Sequence, residues 1–229
     1  GDAVANTLVS GSAADTALAL RTIGYDGLVP SVEEFRLGQG HRAAFFRDLT
    51  EENGQGTPVK LISADWMDGE SGQNAAQPYH IYTRQLEGKE IRIAVVGLGT
   101  LEVPQSLPSY YYSDSQFGHT DNTGMSYAWE WNHWIWPQLE RQNCDLVVVC
   151  CHADQETLEE FAAQTAGIDL LVSGHGQADM GTLENRDGQM VSWVSSGGTT
   201  LTRTEVILSD NGTPVIGESQ LLRLSDYEN

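Results

Sequence analysis

The sequence predicts a layered α/β fold with helices packed on the faces of β-sheets. Helical and strand patterns alternate early in the chain, and strand patterns dominate later. Two apolar runs, Leu146–Cys151 and Asp169–Ser173, are typical of strands buried on both faces of a parallel sheet. The chain has 229 residues, enough for one sizeable domain, and no linker divides it. We therefore expect residues 1–229 to form a single domain.

The first elements are predicted from apolar spacing and from glycine positions. An amphipathic helix runs to about Leu20 and ends at Gly24, because glycine adopts a positive φ freely. A second helix spans Glu33 to Asn53, with a break near Gly38 and Gly40. Short strands are predicted at residues 25–29 and 59–64.

The later elements include a hairpin and a tryptophan-rich helix. Strands at residues 79–86 and 91–97 flank Glu87-Gly88-Lys89, which predicts a tight turn. A helix over residues 126–142 carries four of the six tryptophans, and another helix covers residues 154–166. Residues 190–195 and 202–208 are predicted to be a final strand pair, and the Asn211-Gly212 turn precedes a last strand near residues 220–224.

The composition excludes several classes of function. There are 12 Lys and Arg residues against 32 Asp and Glu residues, a formal net charge of -20. Such a surface repels nucleic acid and anionic lipid, and it suits cationic partners or metal ions. No apolar run is long enough for a membrane-spanning helix.

The three cysteines form no disulfide framework, because their number is odd. Cys150 and Cys151 are adjacent within an apolar run. Small buried side chains are one interpretation of this pair. Redox or metal chemistry, with His152 as a neighbour, is the alternative.

Polar loops follow several predicted strands and indicate where a site would form. They contain Gly1-Asp2, residues 31–38, His152-Ala153-Asp154 and residues 174–177. In α/β folds, sites gather at the carboxyl ends of strands. Two histidines and a carboxylate meeting there would suit a divalent metal ion.

Several motifs occur in the order of a known family. They are Gly1-Asp2, the stretch Gly24–Val29 followed by Glu34-Phe35 and Gly38, the hairpin at 79–99, the strand ending in His152, and the strand leading to Gly174-His175-Gly176-Gln177. With these motifs the chain resembles the calcineurin-like metallophosphoesterases, and among them the secreted 5'-nucleotidase branch. The resemblance covers nearly the whole chain and implies a sandwich of two mixed β-sheets flanked by helices.

The resemblance also implies a chemistry and assigns roles to residues. In this family two metal ions clamp a phosphate ester and generate a bridging hydroxide. Asp2 would bridge both ions, and His152 and His175 would be ligands of the second ion. A carboxylate and neutral imidazoles suit Zn, Mn or Fe. We expect at most one such divalent ion to be bound.

That expectation rests on departures from the family's motifs. Val32 stands at the position of a metal-binding Asn, and valine has no lone pair to donate. Glu33 stands at the position of the family's catalytic His, and its negative charge has the wrong sign to stabilise a phosphate. Arg36 replaces an Asp. Gln177 replaces the second His of Gly-His-x-His, and a neutral amide is a poor ligand for a transition metal.

Two further parts of the family's pattern have no counterpart. No Asp in the chain is followed two residues later by His, so the opening Asp-x-His strand is missing. We likewise expect no counterpart of the C-terminal nucleotide-binding domain of true 5'-nucleotidases. Another polypeptide could supply the strand, or the chain could be rearranged or clipped.

The leading hypothesis is therefore a secreted, non-catalytic protein that acts as a binding or structural component. The alternative is an active, metal-dependent phosphohydrolase whose site is completed by a missing N-terminal strand or another chain. The resemblance and the acidic surface favour the periplasm or the exterior of a bacterium. A protein partner or self-assembly is expected, through the aromatic region of Trp129–Trp136 and Tyr110–Tyr112.

Overall fold

The computed structural model describes residues 13–52, 56–118, 124–176, 183–186, 189–195 and 200–227. The chain divides into two compact units. Unit 1 lies within residues 1–78 and 97–121, and unit 2 lies within residues 79–96 and 122–229. In the described ranges, no helix is both long and apolar enough to cross a bilayer.

Unit 1 contains four helices and four short strands among its described residues. These are α1 (Ala13–Ile23), α2 (Val32–Arg36), α3 (Gln39–Thr50), α4 (Val103–Ser106), β1 (Gly27–Leu28), β2 (Lys60–Leu61), β3 (Trp66–Asp68) and β6 (Ser115–Phe117). β1 pairs in parallel with β2, and β3 pairs antiparallel with β6. Gly24 follows α1 with a φ of 88°, and Gly38 separates α2 from α3 with a φ of 75°. Both glycine breaks were predicted, and both use a conformation that other residues adopt at a cost.

The core of unit 1 surrounds aromatic side chains. Phe35 from α2 and Phe45 from α3 are fully buried, and Phe35 meets Trp66 edge to face at 5.3 Å. The buried guanidinium of Arg42 lies over the Phe35 ring, 4.3 Å from its centroid. It also donates to both carboxylate oxygens of Asp114, at 2.6 and 2.7 Å. Arg42 thus links α3 to the segment that precedes β6, because its charge is both paired and stacked.

Unit 2 holds most of the sheet structure. Its described helical elements are α5 (Gly124–Glu130), a π-helical turn (Trp131–Ile135), α6 (Trp136–Leu139), α7 (Gln155–Ala163) and two 3-10 turns (Glu140–Gln142 and Leu224–Tyr227). Its strands are β4 (Tyr79–Leu86), β5 (Lys89–Leu98), β7 (Leu146–Cys151), β8 (Leu170–Gly176), β9 (Leu183–Arg186), β10 (Gln189–Ser195), β11 (Thr200–Leu208) and β12 (Pro214–Arg223).

Six of these strands form one mixed sheet in the order β4-β5-β7-β8-β10-β9. β8 pairs in parallel with β7 on one side and with β10 on the other. The pair β4–β5 and the pair β9–β10 are antiparallel. The predicted hairpin between β4 and β5 is confirmed. Glu87 and Gly88 both have positive φ, 51° and 83°, as a two-residue turn requires.

The predicted pairing of residues 190–195 with 202–208 is wrong. β10 instead lies beside β8 and β9. β11 pairs antiparallel with β12, so that Thr200 lies opposite Arg223 at one end and Leu208 lies opposite Pro214 at the other. The tight turn at Gly212, with a φ of 77°, brings β12 directly back onto β11. β10 carries the buried apolar residues Val191 and Trp193, which suit an interior position in the larger sheet.

Candidate functional site

Two histidines meet at the carboxyl ends of neighbouring parallel strands in unit 2. β7 and β8 pair in parallel, with Val148 opposite Leu170 and Cys151 opposite Ser173. His152 follows β7 directly, and His175 lies two residues beyond Ser173 in β8. Their imidazole rings are 4.1 Å apart between centroids, with planes inclined at 44°. The structure therefore brings together two of the side chains that the sequence analysis selected.

The hydroxyl of Ser173 links the two strand ends. This buried side chain donates to the carbonyl oxygen of Ala153 at 2.6 Å. It also accepts hydrogen bonds from the backbone N–H groups of Ala153 and His175, at 3.2 and 3.1 Å. One hydroxyl thus satisfies backbone groups on both strands and fixes the main chain beside each histidine. The sequence analysis missed Ser173, although a hydroxyl inside an apolar strand is a signal that could have identified it.

Tyr127 of α5 fixes the backbone of His152. Its phenol donates to the carbonyl oxygen of His152 at 2.8 Å, and the side chain is fully buried. The Tyr127 ring packs against Phe161 of α7, with centroids 5.7 Å apart. His152 itself is only 2 % exposed. Its position is therefore set by α5, α7 and β8 together.

The segment at residues 31–38 is organised by contacts within α2. Ser31 caps the helix, because its hydroxyl oxygen accepts from the backbone N–H of Glu33 at 3.4 Å. The buried carboxylate of Glu34 completes the capping box by accepting from the Ser31 backbone N–H and hydroxyl, at 2.8 and 2.9 Å. Arg36 donates to both carboxylate oxygens of Glu33, at 3.1 and 3.3 Å. Val32 is buried in the apolar core of unit 1. Val32, Glu33 and Arg36, the three positions of α2 that depart from the family's motif, therefore each have a structural role there.

Asp2 and Gln177 lie outside the described residues. The ligand roles assigned to them stay predictions, as do those assigned to His152 and His175. Asp154, which ends the loop after β7, accepts a hydrogen bond from the Thr157 backbone N–H at 2.9 Å. Its carboxylate is thus the N-cap of α7.

Comparison with known proteins gives matches among solved structures only. No protein-family model matches the chain, and no curated protein matches it in sequence. The sulfate thiohydrolase SoxB of Thermus thermophilus, solved with glycerol, matches with a TM-score of 0.72 and 20% identity over 97% of this chain. A putative 5'-nucleotidase from Staphylococcus aureus, solved with alpha-ketoglutarate, matches with a TM-score of 0.72 and 16% identity over 96% of this chain. The chain has the calcineurin-like metallophosphoesterase fold.

A 5'-nucleotidase precursor from Thermus thermophilus has the same fold, with a TM-score of 0.63 and 18% identity over 92% of this chain. The matches cover 37%, 42% and 41% of these three proteins, so the chain spans about two-fifths of their length. The layered α/β fold predicted from the sequence is confirmed. Identities at this level show the fold and leave activity to be argued from the residues.

The donor set of the histidine pair fits the kind of ion that the metallophosphoesterase fold implies. Neutral imidazole nitrogens are good ligands for divalent Zn, Mn and Fe. The hydrogen bonds of Ser173 and Tyr127 hold the backbone of both ligands, so little conformational freedom remains to be lost on binding. His152 and His175 are thus the described residues that would hold such an ion.

The vicinal cysteines are poorly suited to thiolate chemistry. Cys151 is buried, and Cys150 is half-buried on the other face of β7. Withdrawal from water raises the pKa of Cys150 to about 11. A thiol with that pKa is almost entirely protonated near neutrality, and the thiolate is the reactive form. The structure favours the interpretation of these residues as packing residues.

The predicted partner region comprises two aromatic groups, one in each unit. In unit 1, Tyr111 and Tyr112 pack against the apolar core, whereas Tyr110 is exposed. In unit 2, Trp131 is fully buried, and Trp134 is 58% exposed. The surface around Trp134 is thus accessible to a partner.

Proposed function

We propose that this chain is a secreted metallophosphoesterase-fold protein that binds one divalent transition metal ion and has no phosphoesterase activity. His152 and His175 hold the ion. A bound ion of this class supplies a Lewis acid and a positive charge at the carboxyl ends of β7 and β8. In this proposal the protein uses that charge for binding or for structural integrity.

The observation that carries the metal proposal is the fixed geometry of the two histidines. Their rings lie 4.1 Å apart on adjacent strand ends. Ser173 and Tyr127 donate to the carbonyls of Ala153 and His152 after β7, at 2.6 and 2.8 Å, and the Ser173 hydroxyl accepts from the His175 N–H at 3.1 Å. These bonds fix the main chain beside both histidines, so two imidazoles are held close enough together to be ligands of one divalent ion.

The environment of α2 supports the absence of turnover. The carboxylate of Glu33, at the family's catalytic position, is paired with Arg36 at 3.1 Å. Because this carboxylate is already engaged by Arg36, it is poorly placed to assist a leaving group. Val32 is buried and offers no donor atom to a second ion.

Secretion is supported by two observations. One solved structure with the same fold is a 5'-nucleotidase precursor. The net charge of -20 is also compatible with a protein that works in the periplasm or outside the cell.

Metal binding is tested by titrating Zn²⁺ or Mn²⁺ into chelator-treated protein and measuring the heat of binding, with elemental analysis after desalting. We expect about one ion per chain in the wild type. His152→Ala and His175→Ala should each weaken binding by about 10- to 100-fold. His41→Ala, an exposed histidine of α3, is the matched control and should bind like the wild type. Equal binding by His175→Ala would contradict the proposal.

Turnover is tested separately with p-nitrophenyl phosphate and bis-p-nitrophenyl phosphate in the presence of the same ions. The proposal expects no hydrolysis above that of the metal in buffer. Hydrolysis that the wild type performs and His175→Ala lacks would establish the alternative, a metal-dependent phosphohydrolase. Metal binding without hydrolysis would support the proposal in full.

A further inference from the structure

The helical segment from Gly124 to Gln142 changes pitch in its middle. Residues Trp131–Ile135 form a π-helical turn, in which the N–H of Trp136 donates to the carbonyl of Trp131. Such turns are rare, poorly packed relative to an α-helix, and frequent at functional sites. The turn separates the four tryptophans of the segment into an inner pair, in which Trp131 is fully buried and Trp136 is half-buried, and a surface group.

The inner pair anchors the segment. Trp131 and Trp136 stack with centroids 5.7 Å apart and planes inclined at 27°. Trp131 also donates from Nε1 to the carbonyl of Ala166 at 3.0 Å. Because the base of the segment is fixed in this way, its outer side chains are held on a rigid support.

The surface group, here called the aromatic platform, consists of Trp129, His133 and Trp134. The His133 imidazole stacks on Trp129, with centroids 4.6 Å apart and planes inclined at 20°. Its Nδ1 lies 2.9 Å from the Trp129 carbonyl oxygen, so it carries a proton and donates. The Trp134 ring lies 6.2 Å from Trp129 and is 58% exposed. Three rings thus form one ordered surface instead of a scattered set.

An acidic helix lies directly beside the platform. Asn132 of the π-helical turn donates to the carbonyl of Gln164, which follows α7, at 3.2 Å. Gln164 in turn donates to the carbonyl of Glu160, one helical turn earlier. α7 carries Glu156, Glu159 and Glu160 and contains no Lys or Arg. The exposed carboxylates of Glu156 and Glu160 therefore belong to a helix whose C-terminal end contacts the π-helical turn.

We infer that the aromatic platform and the outer face of α7 bind a basic polypeptide segment. Arginine and lysine side chains pack on tryptophan faces through cation–π contacts and pair with carboxylates. The two kinds of group lie on helical elements that contact each other, and the net charge of -20 attracts a basic partner over longer distances. Trp129 and Trp134 are the aromatic contacts, and Glu156 and Glu160 are the charged contacts. This inference is independent of the histidine pair and of any bound metal ion.

The test uses a synthetic ten-residue peptide of alternating arginine and glycine, and a second peptide with citrulline in place of arginine. Binding is measured by fluorescence anisotropy of the labelled peptide at low and at physiological salt. We expect the arginine peptide to bind and the citrulline peptide to bind much more weakly. Trp134→Ala should weaken binding by about three- to ten-fold, because an exposed indole is lost without disturbing the core. The Glu156→Gln, Glu160→Gln double variant should weaken binding and reduce its salt dependence.

Matched controls separate this site from general attraction to an acidic protein. Tyr25→Ala removes another exposed aromatic ring, and Glu218→Gln removes an exposed carboxylate on β12. Both should bind the arginine peptide like the wild type. Equal loss in the control variants, equal binding of the citrulline peptide, or no binding at all would each overturn the inference.

Discussion

The Ser173 hydroxyl lies 2.6 Å from the carbonyl oxygen of Ala153, across the point where β7 and β8 stop pairing. The Ser173 hydroxyl oxygen also accepts from the backbone N–H groups of Ala153 and His175. Removing the hydroxyl therefore leaves three main-chain groups without this partner. Each buried polar group left unsatisfied costs about 1–3 kcal/mol. The backbone on which His152 and His175 are placed therefore depends on one side chain.

Ser173→Ala should lower the free energy of unfolding by about 2–4 kcal/mol, as measured by urea denaturation. Ser192→Ala is the control, because Ser192 is equally buried but donates only one long hydrogen bond, 3.3 Å to Thr202. It should cost about 1 kcal/mol or less. A loss in Ser173→Ala no greater than in Ser192→Ala would mean that the strand ends do not depend on the hydroxyl. If the proposed metal site is correct, Ser173→Ala should also weaken Zn²⁺ binding.

Asp65 should make stability depend on pH in an unusual direction. It is 1% exposed and accepts from the Ser63 hydroxyl at 2.8 Å and from the Thr100 N–H at 2.7 Å. Burial raises its pKa above the ordinary value of 3.8, and these hydrogen bonds only partly oppose the rise. The folded protein thus holds this proton more tightly than the unfolded chain does. The resulting stabilisation is full below pH 3.8 and is lost as the pH rises through the raised pKa.

Asp65→Asn removes this titration and keeps an acceptor for Thr100 and a donor for Ser63. We therefore expect Asp65→Asn to gain stability relative to the wild type between pH 3.5 and pH 7, as measured by urea denaturation across that range. Asp68→Asn is a control of opposite sign, because hydrogen bonds from Ser71 lower the pKa of Asp68. That variant should lose stability relative to the wild type as the pH rises. A constant difference between Asp65→Asn and the wild type at all pH values would show that Asp65 does not titrate differently on folding.

Cys150 should be slow to react in the folded protein. Its pKa of about 11, against 9.0 for an unperturbed thiol, leaves about 100-fold less thiolate at pH 8. Alkylation with iodoacetamide, followed by peptide mass spectrometry, should label Cys150 about 100-fold more slowly in native protein than in urea. Rapid labelling of native Cys150, at the rate seen in urea, would reopen the redox interpretation of the Cys150-Cys151 pair.

The parts of the fold that follow local chemistry could be predicted. The apolar runs predicted β7 and β8, and the glycine at the Glu87-Gly88 turn predicted the β4–β5 hairpin. The end of α1 before Gly24 was predicted as well. The pairing of β10 was missed, because apolar content identifies a buried strand without naming its neighbours. The π-helical turn was missed too, since helical spacing does not reveal an inserted residue.

The candidate site was predicted in part for the same reasons. His152 directly follows β7, and His175 lies near the carboxyl end of β8. The carboxyl ends of neighbouring parallel strands lie together, so the approach of the two histidines follows from the topology. Ser173 and Tyr127 act through backbone atoms of other segments, and such contacts depend on the three-dimensional packing. The ion pair of Glu33 with Arg36 could have been predicted from the sequence, because residues three apart are neighbours on the surface of a helix.

Gly167 should be intolerant of a side chain, because it lies against the tryptophan that anchors the π-helical segment. A Cβ atom there would overlap the Trp136 ring, and Gly167 has a φ of 78°. Gly167→Ala should therefore lower the free energy of unfolding by about 3 kcal/mol or more, the sum of backbone strain and overpacking. Gly212→Ala isolates the first effect, because Gly212 has a φ of 77° and its added Cβ meets nothing within 4 Å. That control should cost about 1–2 kcal/mol in the same urea titration. Equal losses in the two variants would mean that Trp136 moves aside freely and does not anchor the segment.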